Sequence, residues 1–249
     1  MTKRIKILGA PVDCVDMQGA LMAVDDMVNG EGQNTIIAIN PEKVIKSQES
    51  ADLLTWLHKA SLVIPDGIGV VIAAKLLQKA EIERVPGSEL MPAICKQSLS
   101  KGYKLFLYGA SPTTIEKTVA NLKAAYPGIQ IVGYQDGYLP QDEMQSLIDK
   151  INLSGANIIF VALGSPKQEL WMDKYLNQLP NIRVCQGVGG TFDVIAGTVK
   201  RAPEFFINIH CEWLYRLLSQ PKRLLRQTAL PMFAFKVFVE FLSNKSKGG

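Results

Sequence analysis

The sequence of 249 residues is poor in metal ligands: it has two histidines, His58 and His210, and four cysteines, Cys14, Cys95, Cys185 and Cys211, with no C-x-x-C spacing. A zinc site or a disulfide framework is therefore not expected, and reduced, buried thiols are the simpler reading. No apolar run reaches the roughly 18 residues of a membrane-spanning helix. The apolar stretch after the basic residues at the N-terminus is too short for a secretion signal. The expected location is the cytoplasm. No G-x-x-x-x-G-K-[ST] loop occurs, and the nearest approach to G-x-G-x-x-G, Gly187-Val188-Gly189-Gly190-Thr191-Phe192, lacks its last glycine. A dinucleotide-dependent dehydrogenase would need that glycine and an acidic residue about 20 positions further on. Internal repeats and low-complexity stretches are also missing.

Apolar residues make up 47% of the chain and charged residues 20%, enough for a sizeable core and too hydrophobic for disorder. Short β-branched runs at 5–8, 35–39, 62–64, 104–108, 129–134, 157–163 and 183–186 read as strands. Several are apolar throughout, as strands buried on both faces of a parallel sheet are. Between them, helical patterns cover 17–29, 41–59, 68–80, 88–101, 112–125, 140–153, 166–178 and 191–197. This alternation predicts an α/β fold with a doubly wound, mostly parallel, Rossmann-like sheet over residues 1–200. The pattern then changes. Residues 201–249 read as a helical appendage, with stretches near 204–219 and 222–242 and Pro231 inside the second. This segment holds eight Lys and Arg against three Glu, a net +5, and the first 200 residues sum to −1. Six of the nine Phe lie in it, beside Lys222, Arg223 and Arg226. Basic residues among Phe, Leu and Trp suit a helix lying in a membrane interface. They also suit an amphipathic helix packed on the body or on a second copy of the chain. The body lacks the aromatic–basic interleaving of many RNA-binding sheets, so nucleic acid is not an expected partner.

Ligands of open α/β sheets bind beyond the carboxyl ends of the strands. That rule selects the loops Asn40-Pro41, Pro65-Asp66-Gly67, Gly109-Ala110-Ser111-Pro112, Gly164-Ser165-Pro166-Lys167-Gln168-Glu169 and Gly187-Val188-Gly189-Gly190-Thr191. Helix starts present free N–H groups to phosphate. Any one of these loops reads as well as a tight turn or a cap; several on one sheet edge favour a nucleotide or sugar-phosphate site. Asp66, directly after an apolar strand, is either a general base or an Asx-turn aspartate. Arg84 suits phosphate or solvent, and Gln168 a sugar hydroxyl or a cap. Asp136 reads first as a turn and Asp193 as a first-turn acid. His58 is expected to be partly buried and structural, and His210 structural. No Asp-x-Asp pair is present to hold a divalent ion, which suggests that Arg, Lys and helix N-termini offset leaving-group charge.

In combination, Asn40-Pro-Glu-Lys43, Pro65-Asp-Gly67, Gly164-Ser-Pro-Lys-Gln-Glu169, Gly187-Val-Gly-Gly-Thr-Phe-Asp193, Lys200-Arg-Ala-Pro203 and Glu212-Trp-Leu-Tyr-Arg-Leu217 resemble the WecG/TagA/CpsF glycosyltransferases, glycosyltransferase family 26. The resemblance spans about residues 5–230. It implies inverting transfer without a metal or cofactor from a UDP-sugar: UDP-N-acetylmannosamine first, its uronic acid or UDP-glucose as alternatives. The implied acceptor is N-acetylglucosamine on undecaprenyl pyrophosphate, at the inner face of the cell membrane. Asp66 would be the base. Asn40, Arg84 and Gln168 would line the pocket, with Gly109, Ser111, Gly164, Ser165, Lys167, Gly189, Gly190 and Thr191 binding substrate. Arg216, Arg223 and Arg226 would close over the acceptor pyrophosphate. Some relatives carry threonine two residues before the asparagine, where this chain has Ala38. The reading of another class is a non-catalytic nucleotide- or membrane-binding module.

Overall fold

The computed structural model describes residues 3–199 and 228–247. The chain opens with a hairpin of β1 (Arg4–Ile7) and β2 (Ala10–Asp13), antiparallel, with Arg4 opposite Asp13 and Ile7 opposite Ala10. Leu8 and Gly9 both take positive φ, 50° and 86°, as a two-residue turn of this kind demands. The hairpin is latched to the body by Asp13, which accepts from Arg4 Nε at 2.7 Å and from the Val63 N–H at 2.7 Å. The sequence reading found β1 and missed β2. Pro11 argues against a strand, but β2 pairs only with β1 and its other edge needs no donor.

The main sheet has six parallel strands in the order β4-β3-β8-β7-β5-β6. They are β3 (Asn34–Ile39), β4 (Leu62–Pro65), β5 (Lys104–Gly109), β6 (Gln130–Gln135), β7 (Ile158–Ala162) and β8 (Val184–Gly187). Side chains alternate between two cores. Ile36, Leu62, Ile64, Leu105, Leu107, Ile158 and Phe160 face one layer of helices. On the other side, Ile37, Ile39 and Val63 join one cluster, and Phe106, Tyr108, Ile159 and Val161 another. This two-sided burial is why the strands are apolar throughout. The expected doubly wound α/β sheet is the fold observed.

The helices on the first face are α1 (Met17–Asn29), α5 (Gly87–Lys101), α6 (Pro112–Ala125) and the short α9 (Thr191–Ile195). The other face carries α2 (Pro41–Glu49), α3 (Ala51–Lys59), α4 (Ile68–Gln78), α7 (Met144–Ser154) and α8 (Lys167–Tyr175). The helix expected over 41–59 is two helices, divided at Ser50. Ser50 has extended backbone (φ −131°, ψ 106°) and its hydroxyl accepts from the Leu53 N–H, so it ends α2 and caps α3. His58, expected to be partly buried, is exposed in the last turn of α3. The last helix, α10 (Ala229–Lys247), packs on α2 and α4 and buries Ala229, Phe233 and Val237 in their cluster. Pro231 lies in its first turn, where a missing N–H costs nothing. The segment 200–227, and with it Arg216, Arg223, Arg226 and His210, lies outside the described residues.

Candidate active site

The loops after β3, β4 and β8 converge on one cavity of about 740 Å³. It lies at the carboxyl edge of the sheet, as the topology requires. Asp66 follows β4, and its N–H donates to the Ile39 carbonyl at 2.9 Å. That bond extends the β3–β4 ladder by one step and sets Asp66 beside Asn40. Asn40 caps α2 by accepting from the Lys43 N–H at 2.9 Å. The two loops interlock through Pro41. A Cβ on Gly67 would lie 2.7 Å from Pro41 Cδ, and one on Gly69 would lie 2.8 Å from Pro41 Cγ. Thus Asn-Pro and Asp-Gly, read separately along the chain, are two halves of one contact. Arg84 is drawn to the same place because the Val85 N–H donates to the Pro65 carbonyl at 2.7 Å. Its guanidinium lies 3.6 Å from Glu89.

A polar chain crosses the floor of the cavity. Lys43 Nζ meets Glu169 Oε1 at 2.7 Å, in a pair nearly closed to solvent. Gln168 Nε2 donates to Glu169 Oε1 at 3.3 Å, and Gln168 Oε1 accepts from the Gly189 N–H at 3.1 Å. Burial alone would raise the Glu169 pKa, but the Lys43 charge and hydrogen bond, the Glu169 N–H and Ser165 together hold it below the usual carboxylate value. Lys43 and Glu169 were not singled out from sequence. Both stand inside the quoted motifs, but only the tertiary contact shows the pair.

Asn40, Asp66, Arg84, Ser165, Gln168, Gly189, Gly190 and Thr191 all line the cavity. Gly109, Ser111, Gly164 and Lys167 are not among its lining residues. Gly109 has φ of +122°, and a Cβ there would lie 2.4 Å from the Ala162 carbonyl oxygen, so this glycine lets β5 close on β7. Ser111 caps α6 by accepting from the Thr114 N–H at 3.2 Å. Lys167 is exposed at the start of α8. Asp136 makes a local turn by accepting from the Tyr138 N–H, and Asp193 accepts from Thr198. The first turns of α2, α4, α5 and α8 all contribute lining residues, so several positive helix ends face one volume. Among the described residues, no group of three or more His, Cys, Asp or Glu is placed to hold a metal ion.

Fold and site together define a doubly wound α/β protein with a large ligand cavity at the carboxyl edge of its sheet, where helix N-termini favour anionic groups. The chain matches the Glycosyl transferase WecG/TagA/CpsF family over residues 5–247 and belongs to it. It is a glycosyltransferase. One relative, from Bacillus spizizenii, is 39% identical over 202 residues, covering 81% of this chain and 77% of the relative. That relative is an N-acetylglucosaminyldiphosphoundecaprenol N-acetyl-beta-D-mannosaminyltransferase.

Proposed function

We propose that this glycosyltransferase moves N-acetylmannosamine from UDP-N-acetylmannosamine to N-acetylglucosamine carried on undecaprenyl diphosphate. The sugar and the acceptor are those in the name of the Bacillus spizizenii relative. One observation carries the reading. A single cavity gathers Asp66, Asn40, Arg84 and Gln168 from loops far apart in sequence.

The reaction is a single displacement. The acceptor hydroxyl oxygen attacks the anomeric carbon, the bond to UDP breaks, and UDP leaves with the electron pair. The hydroxyl proton passes to Asp66. Attack opposite the leaving group inverts the anomeric centre. The carboxylates lining the cavity among the described residues are Glu42 and Asp66. Asp66 stands directly after β4 at the carboxyl edge of the sheet, beside Asn40, and that position favours it as the base. Asn40 has its side-chain oxygen committed to the α2 cap, so its amide N–H groups are what it offers a ligand. Arg84 and the helix ends offset the charge of the departing diphosphate without a divalent ion. Arg216, Arg223 and Arg226 act on the acceptor diphosphate. The protein works at the cytoplasmic membrane face, held there by its C-terminal segment.

The test is UDP release with UDP-N-acetylmannosamine, its uronic acid and UDP-glucose, a prenyl-diphosphate-N-acetylglucosamine acceptor, and EDTA. Acceptor-dependent release from UDP-N-acetylmannosamine that survives EDTA is expected. Loss of release in EDTA would refute metal independence, and release from another donor alone would reassign the sugar.

A further inference from the structure

The cavity has two chemically distinct halves. Around Asp66 it is polar. Away from Asp66 it runs on between α4 and α10, where every lining residue that these two helices supply among the described residues is apolar or glycine. The walls are Ile72 and Leu76 on α4, and Leu230, Val237, Phe238 and Phe241 on α10. Several face water: Ile72 is 53% exposed, Leu76 45% and Phe238 58%. Single exposed apolar residues are ordinary, but a contiguous apolar channel opening onto a reaction centre marks a binding surface. Lys75 on α4 and Lys236, Glu240 and Lys245 on α10 are not in its lining.

We propose that this channel is the binding site for the first isoprene units of the acceptor, a subsite resting on the proposed transfer reaction. The assignment follows from matching surfaces. A UDP-sugar is polar along its whole length and matches only the Asp66 half. The acceptor named for the relative ends in undecaprenol, a pure hydrocarbon chain attached through diphosphate to the reacting sugar. A hydrocarbon in the α4–α10 channel places its diphosphate at the junction of the two halves and its sugar toward Asp66. The channel therefore sets the direction of the acceptor. Each methylene it takes from water is worth roughly a fourfold change in affinity. Phe235 lies on the same helix, is 67% exposed and is outside the lining, so it separates this site from any general contact of α10 with lipid.

The experiment uses the full chain without detergent or vesicles, so that membrane docking does not enter. The acceptors are diphosphate-linked N-acetylglucosamine carrying a methyl, a ten-carbon prenyl or a fifteen-carbon prenyl group. For the wild type, the acceptor KM should fall at least about tenfold from methyl to the fifteen-carbon chain. Leu76→Asn and Phe238→Asn should erase that gain and leave the methyl acceptor and the donor KM unchanged. Phe235→Asn should change neither. Chain-length independence in the wild type would overturn the proposal. So would a Phe238→Asn effect equal on methyl and prenyl acceptors, or an equal effect of Phe235→Asn. If no acceptor turns over, the reaction assignment fails. Calorimetry with farnesyl phosphate then decides the channel: binding lost in Phe238→Asn supports it, and equal binding in both proteins refutes it.

Discussion

Two glycines that look alike in the sequence do different work. Gly187 ends β8, and a Cβ there would come within 2.6 Å of Gln168 Nε2 and 3.0 Å of Met172 Cε. Its backbone needs no special φ, so Gly187→Ala acts by pushing Gln168 off the Gly189 N–H. Turnover should fall about tenfold or more, with a stability loss of only about 1–3 kcal/mol, the usual cost of overpacking. Gly109→Ala instead forces a methyl into the Ala162 carbonyl at a φ of +122°. That variant should lose stability first, and activity only as it unfolds. Steady-state kinetics beside urea melts separate the two cases. Gly109 was expected to bind substrate, and Gly187 only opened one of the loops selected at the sheet edge; each lies between a strand and a helix. Local sequence reports the turn; whether the missing side chain makes room for a neighbouring strand or for a functional side chain depends on the packing partner.

Among the elements, α2 and α8 are joined by the Lys43–Glu169 pair, which holds the loops after β3 and β7 on either side of β8. Breaking one side leaves a buried charge, so Glu169→Leu should cost about 3–5 kcal/mol. The double variant Lys43→Met with Glu169→Leu should recover most of that loss, as read by urea unfolding. The pair also makes stability depend on pH. The folded pKa of Glu169 lies below its ordinary value of 4.5, so its contribution is fully present above pH 4.5 and is lost as pH falls through the folded value. Glu169→Gln should flatten that part of the acid-unfolding curve, and an unchanged curve would contradict the assignment. The elements themselves were mostly readable, because buried parallel strands are apolar runs and amphipathic helices repeat every 3.6 residues. The failures have local causes. Pro11 hid β2, and Ser50 looked like one polar helical residue although its hydroxyl starts a new helix. Nothing local marked Lys43 and Glu169, which lie 126 positions apart.

At the scale of the whole molecule, α10 joins the body to whatever lies beyond it. One face sinks Phe233 and Val237 into the cluster of α2 and α4, with Lys236 bonded to Gln48. The other leaves Met232, Phe235, Val239 and Leu242 exposed. The sequence left lipid, the body and a second copy of the chain as alternatives for this stretch; the buried face of α10 meets the body. Phe233→Ala should cost about 3 kcal/mol in thermal or urea melts. Phe235→Asp should leave the fold intact and weaken binding to anionic vesicles about tenfold. Equal vesicle binding by that variant would remove the exposed face from the membrane account. None of the described helices is long and apolar enough to cross a membrane.

The most direct test concerns Asp66. The measurement is UDP release from UDP-N-acetylmannosamine with a prenyl-diphosphate-N-acetylglucosamine acceptor, for wild type and Asp66→Asn, beside donor affinity by calorimetry. A base at this position predicts a loss of about 10²–10⁴-fold in turnover with donor affinity nearly unchanged. Turnover by Asp66→Asn at the wild-type rate would show that the proton goes elsewhere, and that the cavity does not work as proposed.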